Sequence, residues 1–433
     1  MDTTKTPRHK EDMGRRPASS VSSCLGGSKP LPTGWRWVKL GEVCSRIRNG
    51  TTAHQVAGDS GLPVTRIETI SSGEIDPARV GRLAAEITEF VDYVLNPGDI
   101  LFSHINSLER LGACALYRGT PTPLVHGMNL LRLEPNGEVL SEYLLYCLRW
   151  EEPISFFRTK ARRAIGQASL NTRDISALPI PLPPLSEQRR IAGILREQMA
   201  AVERARAAAR ARLEAVKALP AAYLRQVFPQ PAQPLPPGWR WVKLGEVGDV
   251  VNGFGFTEVY QGRRDLPYPF VKVSDMNSPG AEVLINEAAN TVDEAILAAL
   301  GARCYPAGTI VFPKVGGALL TNKRRILGRE ASFDNNIMGV VPRNADGEFV
   351  FFWFSSVDLA AHANTQALPS IRQSLVASLE IPLPPLSEQR RIAGILREQM
   401  AAVERARAAA EAELEAIEAL PAALLRRAFS GEL

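Results

Sequence analysis

Catalytic signatures are missing from this sequence of 433 residues. There is no GxxxxGK[ST] phosphate loop, no HExxH, no paired Cys/His set and no GxSxG elbow. A DNA methyltransferase would need a Gly-rich cofactor loop and an Asp or Asn followed by Pro-Pro and an aromatic. The nearest strings, Asn96-Pro97-Gly98-Asp99 and Asp76-Pro77-Ala78-Arg79, do not fit. His9, His54, His104, His126 and His362 stand apart from one another, and His104 and His126 suit a core or a surface loop better than acid–base work. Cysteine is sparse as well. Cys24, Cys44, Cys114, Cys147 and Cys304 follow no CxxC or metal-type spacing, which excludes a disulfide framework and fits a reducing compartment, with the cytoplasm as the expected location. Apolar runs such as residues 349–354 are far shorter than the roughly 18 to 20 residues of a spanning helix. Residues 1–29 mix basic residues with Ser, Gly and Pro and lack an apolar stretch, so a disordered tail is expected there rather than a signal peptide.

Charge of one sign is also in short supply. The formal net charge is +5 and the pI about 9.0, which permits nucleic-acid binding without demanding it. Residues 44–180 hold 14 cations against 15 anions, and residues 244–380 hold 11 against 15. Any DNA contact in those stretches must come from local patches. Residues 186–228, by contrast, carry nine Arg and Lys against four Glu.

What the chain does have is repetition. IPLPPLSEQRRIAGILREQMAAVERARAAA, residues 180–209, returns unchanged at 381–410, 201 positions on. PLPTGWRWVKLGEV at 30–43 returns at 234–247 with only Thr33 exchanged for Pro237. Two tandem units follow, each an opening segment, an insert of about 135 residues, and a Pro-rich entry into a long helix; a period this long is domain duplication rather than a solenoid. The expected boundaries are a first domain at 30–180, a first helix and linker at 181–233, a second domain at 234–381 and a second helix at 382–433. The inserts share only short echoes: Asn49-Gly50 with Asn252-Gly253, PGDILFS at 97–103 with AGTIVFP at 307–313, and Ser169-Leu170 with Ser370-Ile371. GDILFSHI and GTIVFPKV read as buried strands, and residues 141–150 and 292–302 as helices, with Ser141 a candidate N-cap.

Within the repeated helix, Ser186 is the expected N-cap, and Pro220 and Pro421 are the expected ends. Leu195, Val202, Ala209, Val216 and Tyr223 recur every seven residues, as do Leu396, Val403, Ala410 and Ile417 in the second copy. Ile194, Ala201, Ala208, Ala215 and Ala222 form a second row beside the first. Such a seam of small residues calls for a helical partner, and the nearest candidate is the other copy. Where the copies diverge, Arg210, Arg212 and Lys217 become Glu411, Glu413 and Glu418. Opposite charges beside a seam favour pairing of unlike helices; a solvated charge face is the other reading.

The LPxGWRWVKLGEV and IPLPPLSEQRRIAGIL motifs resemble those of the specificity subunit of type I restriction-modification systems, over residues 30–433. The resemblance implies an α+β protein: two globular target-recognition domains separated by two long helices that form an antiparallel coiled coil, with a pseudo-twofold internal repeat. It implies no catalytic site and no metal or cofactor in this chain. S-adenosylmethionine, ATP and Mg are expected on partner subunits. Two methyltransferase subunits of an adenine-N6 DNA methyltransferase are expected to dock on it, joined by restriction subunits that translocate and cut, with no membrane involved. The target implied is a bipartite sequence in double-stranded DNA, one half per domain. Candidate DNA contacts in the first insert are Arg158, Lys160, Arg162 and Arg163 for phosphate, with Gln167, Ser169, Asn171 and Arg173 for bases or positioning. In the second they are Lys314, Asn322, Lys323, Arg324, Arg325, Arg372 and Gln373. A non-catalytic duplicated scaffold without DNA readout is the alternative, because the inserts are not basic overall.

Overall fold

The computed structural model describes residues 31–58, 60–164, 166–231, 233–280, 283–364 and 368–433. The expected tail at 1–29, with Cys24, lies outside the described residues. The chain forms two compact units: one runs to Ala208 and adds Leu414–Leu433, the other is Ala209–Glu413.

Each unit is closed by its own repeated motifs. Strand Arg36–Lys39 pairs antiparallel with the Pro-rich strand Pro179–Leu182, and Arg240–Lys243 pairs with Glu380–Leu383 in the same way. Val38, Ile180 and Leu182 point inward on one side, Val242, Ile381 and Leu383 on the other. The Leu40 N–H donates to the Leu178 carbonyl at 2.8 Å, and Leu244 to Leu379 at 2.8 Å. The repeated words therefore hydrogen-bond to each other across the insert, so that each insert is a long excursion from a fixed two-stranded base.

The inserts, unlike in sequence, are each built on a sheet of the same strand order. The first builds an antiparallel sheet in the order Cys44–Asn49, Leu130–Pro135, Ile100–Ser103, Cys114–Leu116. The second orders Gly248–Asn252, Ile337–Pro342, Ile310–Pro313, Arg325–Leu327 and adds Leu284–Ile285. The Asn-Gly echo has a steric cause. A Cβ on Gly50 would collide with the carbonyl oxygen of Gly127, and one on Gly253 with that of Asp334, so the strand ends pass too close for a side chain. A helix backs each sheet, Ser141–Arg149 in the first and Gly347–Ser356 in the second. Ser141 does not cap its helix: the start is held by Gln188, whose Oε1 accepts from the Leu140 N–H at 2.8 Å. Asp293 does cap Glu294–Leu300, accepting from the Ile296 N–H at 2.8 Å.

The long helices are Leu185–Val227 and Leu386–Phe429, of 43 and 44 residues. Ser186 falls in the first turn rather than at the cap, and neither proline ends its helix. Pro220 and Pro421 sit inside; each costs about 3 kcal/mol or more, and the residues beyond recover it by burial. Phe429 is buried, stacked on Trp150 at 5.3 Å and edge-on to Tyr143 at 5.6 Å. Phe228 meets Phe349 at 5.4 Å. In the first unit the opening turns of the first helix (Ile191, Ala192, Leu195) share a core with the closing turns of the second (Leu425, Ala428, Phe429). In the second unit Ile392, Ala393 and Leu396 meet Leu224 and Phe228. The helices therefore run in opposite directions, as an antiparallel coiled coil. Leu195, Val202, Ala209, Leu396, Val403 and Ala410 are buried, while Val216 and Ile417 are half-buried. The second row differs from expectation. Ala201, Ala208 and Ala215 are exposed, and the seam continues four residues on, at Met199, Arg206 and Leu213. A row one residue away is turned about 100° off the seam, whereas the 3-4 alternation keeps the face.

Candidate nucleic-acid interface

In the first unit the basic patch is built on a hairpin. Helix Glu151–Lys160 delivers Arg158 and Lys160 to solvent at its last turn, Lys160 lying 5.9 Å from the Phe156 ring centre. The chain then folds into strands Arg162–Ala164 and Gln167–Ser169, which pair antiparallel, and Ala168 and Ser169 pair onward with Asn106 and Ile105. Arg162, Arg163 and Gln167 are exposed. Ser169 is half-buried between two strands, and Asn171 is a cap: its side chain accepts from the Asp174 N–H at 2.7 Å and starts Thr172–Ser176, whose Arg173 is exposed. The hairpin root is tied to the core sheet by the Leu170 N–H, which donates to the His104 carbonyl at 2.9 Å.

The second unit repeats that tie, Ile371 N–H to the Lys314 carbonyl at 3.0 Å, but uses its basic run differently. Arg324 is 3% exposed. Its Nη2 donates to the Val357 carbonyl at 2.7 Å and Nη1 to Asn322 Oδ1 at 3.1 Å, and its guanidinium lies 4.9 Å from the Phe354 ring centre. Burial pulls its pKa down to about 10, with Asp358 opposing. A DNA contact by Arg324 is thus corrected: the side chain is inside, bracing the loop before His362. Asn322 is also structural, donating to Asp358 at 2.6 Å and accepting from the Leu359 N–H. Lys323 donates to Asn277. Half-buried Arg325 donates to the carbonyls of Arg324 and Met276 at 2.8 and 3.1 Å. Lys314, its pKa lowered by burial, donates to Asn252 Oδ1 at 2.8 Å; Asn252 donates to Gln373 Oε1 at 2.6 Å, and Gln373 to the Val250 carbonyl at 2.5 Å. Only Arg372 and Gln373 of the expected set are exposed. Gln373 lines an open polar groove of about 830 Å³, together with, among others, Asn252, Phe254, Arg303 and Tyr305. Sequence reading missed Arg303, which lies 5.3 Å from the Tyr305 ring centre; Asn252 was visible only as an echo of Asn49.

Among the described residues no group of His, Cys, Asp or Glu could hold a metal ion, and no helix is long and apolar enough to cross a membrane. Cys44, Cys114 and Cys147 are buried thiols, Cys44 pushed up to about 12 by burial; none has the lowered pKa of a nucleophile.

A duplicated fold whose closing frame is held constant while its exposed elements vary defines a class of protein: a tandem two-domain chain with one frame and two different inserts. Residues 32–208 and 236–415 both match the family described as type I restriction modification DNA specificity domain, and the chain belongs to that family. It is 31% identical over 394 residues to a putative type I restriction enzyme specificity subunit, MjaX, of Methanocaldococcus jannaschii, covering 85% of this chain and 87% of that protein. It is 26% identical over 173 residues to the EcoKI specificity subunit of Escherichia coli, 38% of this chain and 36% of that one. Two solved structures share the fold. One, from a study of complex assembly in the type I R-M system, has a TM-score of 0.74 at 22% identity and covers 94% of this chain and 100% of its own. The other, the HsdS subunit from Thermoanaerobacter tengcongensis, has a TM-score of 0.59 at 24% identity, covering 94% and 99%.

Proposed function

We propose that this chain is the DNA-reading and assembly subunit of a type I restriction-modification complex, in which each unit reads one half of a bipartite duplex target and each frame docks one methyltransferase subunit. The restriction subunits join through those, and S-adenosylmethionine, ATP and Mg act on the partners.

One observation carries the reading. Arg36, Lys39, Arg189, Arg190 and Arg196 are exposed, and so are their identical counterparts Arg240, Lys243, Arg390, Arg391 and Arg397. Packing does not require an exposed side chain to be kept, so identity at these positions points to a surface shown twice to the same partner. The inserts differ on their surfaces while keeping one sheet order, as two readers of different half-sites would.

The test is the methylation pattern of the assembled complex. Methyltransferase subunits supplied with this chain should modify adenines only within a split motif, and those lacking it should modify none. A complex that forms but shows no footprint and no motif would leave the scaffold reading.

A further inference from the structure

The hairpin of the first unit has two unlike faces. Its register pairs Arg162 with Ser169 and Ala164 with Gln167, while Arg163 pairs with Ala168. Cross-strand partners share a face and neighbours along a strand alternate. Arg162, Ala164, Gln167 and Ser169 therefore lie on one face. Arg163 and Ala168 lie on the other, and Ala168, 2% exposed, is packed on the core. The first face is the outer one. Strand Arg162–Ala164 is exposed at all three positions and is the edge of its sheet. Arg162, Arg163 and Gln167 are not held by an ion pair or side-chain hydrogen bond to another described residue.

The second unit has a counterpart at the same place. Asn364 bridges antiparallel to Ser370, and Ser370 to Val315, just as Arg162 pairs with Ser169 and Ser169 with Ile105. Ser169 and Ser370 are one of the echoes between the inserts; the residues opposite them, Arg162 and Asn364, are not alike. One structural device thus carries different polar side chains in the two units.

Resting on the proposed function above, we propose that this hairpin is the base-reading element of the first unit: Arg162 and Gln167 on its outer face contact base edges in the major groove, and Arg163 with Lys160 and Arg158 holds the flanking phosphates. A two-stranded ribbon is one of the shapes the major groove admits, and the two side chains match the bidentate readers of guanine (Arg) and adenine (Gln). Ala164 between them adds no bulk, so the backbone can sit deep. This assignment moves Arg162 from phosphate to base.

The experiment uses the full chain assembled with its methyltransferase subunits, with methylated sites mapped on a random-sequence library. Arg162→Ala and Arg162→Lys should each relax one guanine position of the first half-site, at a cost of about 5- to 150-fold at the cognate site, and leave the second half-site unchanged. The lysine variant keeps the charge but loses the planar fork, and an unchanged melting temperature excludes misfolding. Gln167→Ala should relax one adenine position. Arg163→Ala should weaken all sites alike and reduce the salt slope by about one. An unaltered motif in the Arg162 and Gln167 variants, or a uniform loss without relaxed positions, overturns the hairpin assignment. A wild-type complex with no split motif overturns the proposed function itself and the hairpin with it.

Discussion

Arg324 and His126 show how burial changes what a side chain can do. In sequence, Arg324 belongs to a basic run; in the fold it supports the Val357 carbonyl and the Asn322 amide. Arg324→Ala should cost about 2 to 4 kcal/mol, because the Val357 carbonyl loses this donor, Asn322 Oδ1 loses one of its two, and a buried side chain is removed beside Phe354. Thermal unfolding would register this as a clear loss of melting temperature, and DNA affinity lost in a double Arg324/Arg325 variant would then report unfolding. His126 is fully buried, with Nε2 on the Leu130 carbonyl at 3.0 Å and Nδ1 without a partner among the described residues. Burial drives its pKa down to about 4, and that of His104 is lowered for the same reason. The unfolded chain binds these protons near pH 6.5 and the folded chain does not. Stability is therefore full above about 6.5 and falls as pH drops toward 4, by roughly 3 kcal/mol for His126 alone. Calorimetry between pH 7 and 5 should show the fall, and His126→Gln should flatten it whatever it does at neutral pH. None of this was legible locally, because neighbours in sequence do not reveal who lies across a sheet.

Among the elements, the long helices carry most of the repeat's logic. Gln188 and Gln389 explain why SEQ is kept in both copies: Gln188 accepts from Leu140 and donates to the Glu138 and Pro183 carbonyls, and Gln389 accepts from Asp346 and donates to Pro384. Each buried amide stitches a helix start to its own domain, and alanine at either should cost about 1 to 3 kcal/mol. The charge reversal between the copies is direct at Arg212 and Glu413. Arg212 Nη1 lies 3.0 Å from Glu413 Oε2, and these residues hold equivalent places in the repeat. Had the copies stayed identical there, two like charges would meet. Both side chains are about half exposed, so the pair is worth roughly 0 to 1 kcal/mol. Arg212→Glu or Glu413→Arg should each lower the melting temperature slightly, the double exchange should restore it, and salt should shrink the difference. Additive effects in that cycle would mark the pair as uncoupled. The heptad row at Leu195 and Leu396 was readable from spacing, yet its companion was misplaced: the alanines one residue away look like a seam of small residues, whereas the row four away interrupts its apolar Met199 and Leu213 with Arg206, whose charge hides it.

As a whole molecule, the protein separates what is constant from what varies. Each insert leaves and returns through the same pair of hydrogen-bonded strands, so an exchange at those strands should keep the fold. Replacing residues 44–179 by the insert of another family member should change only one half of the methylation motif, read by sequencing modified DNA; a change in both halves would contradict independent reading. The duplicated frame, the two long helices, their mutual pairing and the family were determined by the sequence itself, because exact repetition and seven-residue spacing are local patterns that survive in one dimension. The common sheet inside two unlike inserts, the helices' passage through their prolines, the burial of Arg324 and the outward face of the first hairpin were decided only in three dimensions. They depend on contacts between segments far apart in the chain, where burial energy overrides local preference.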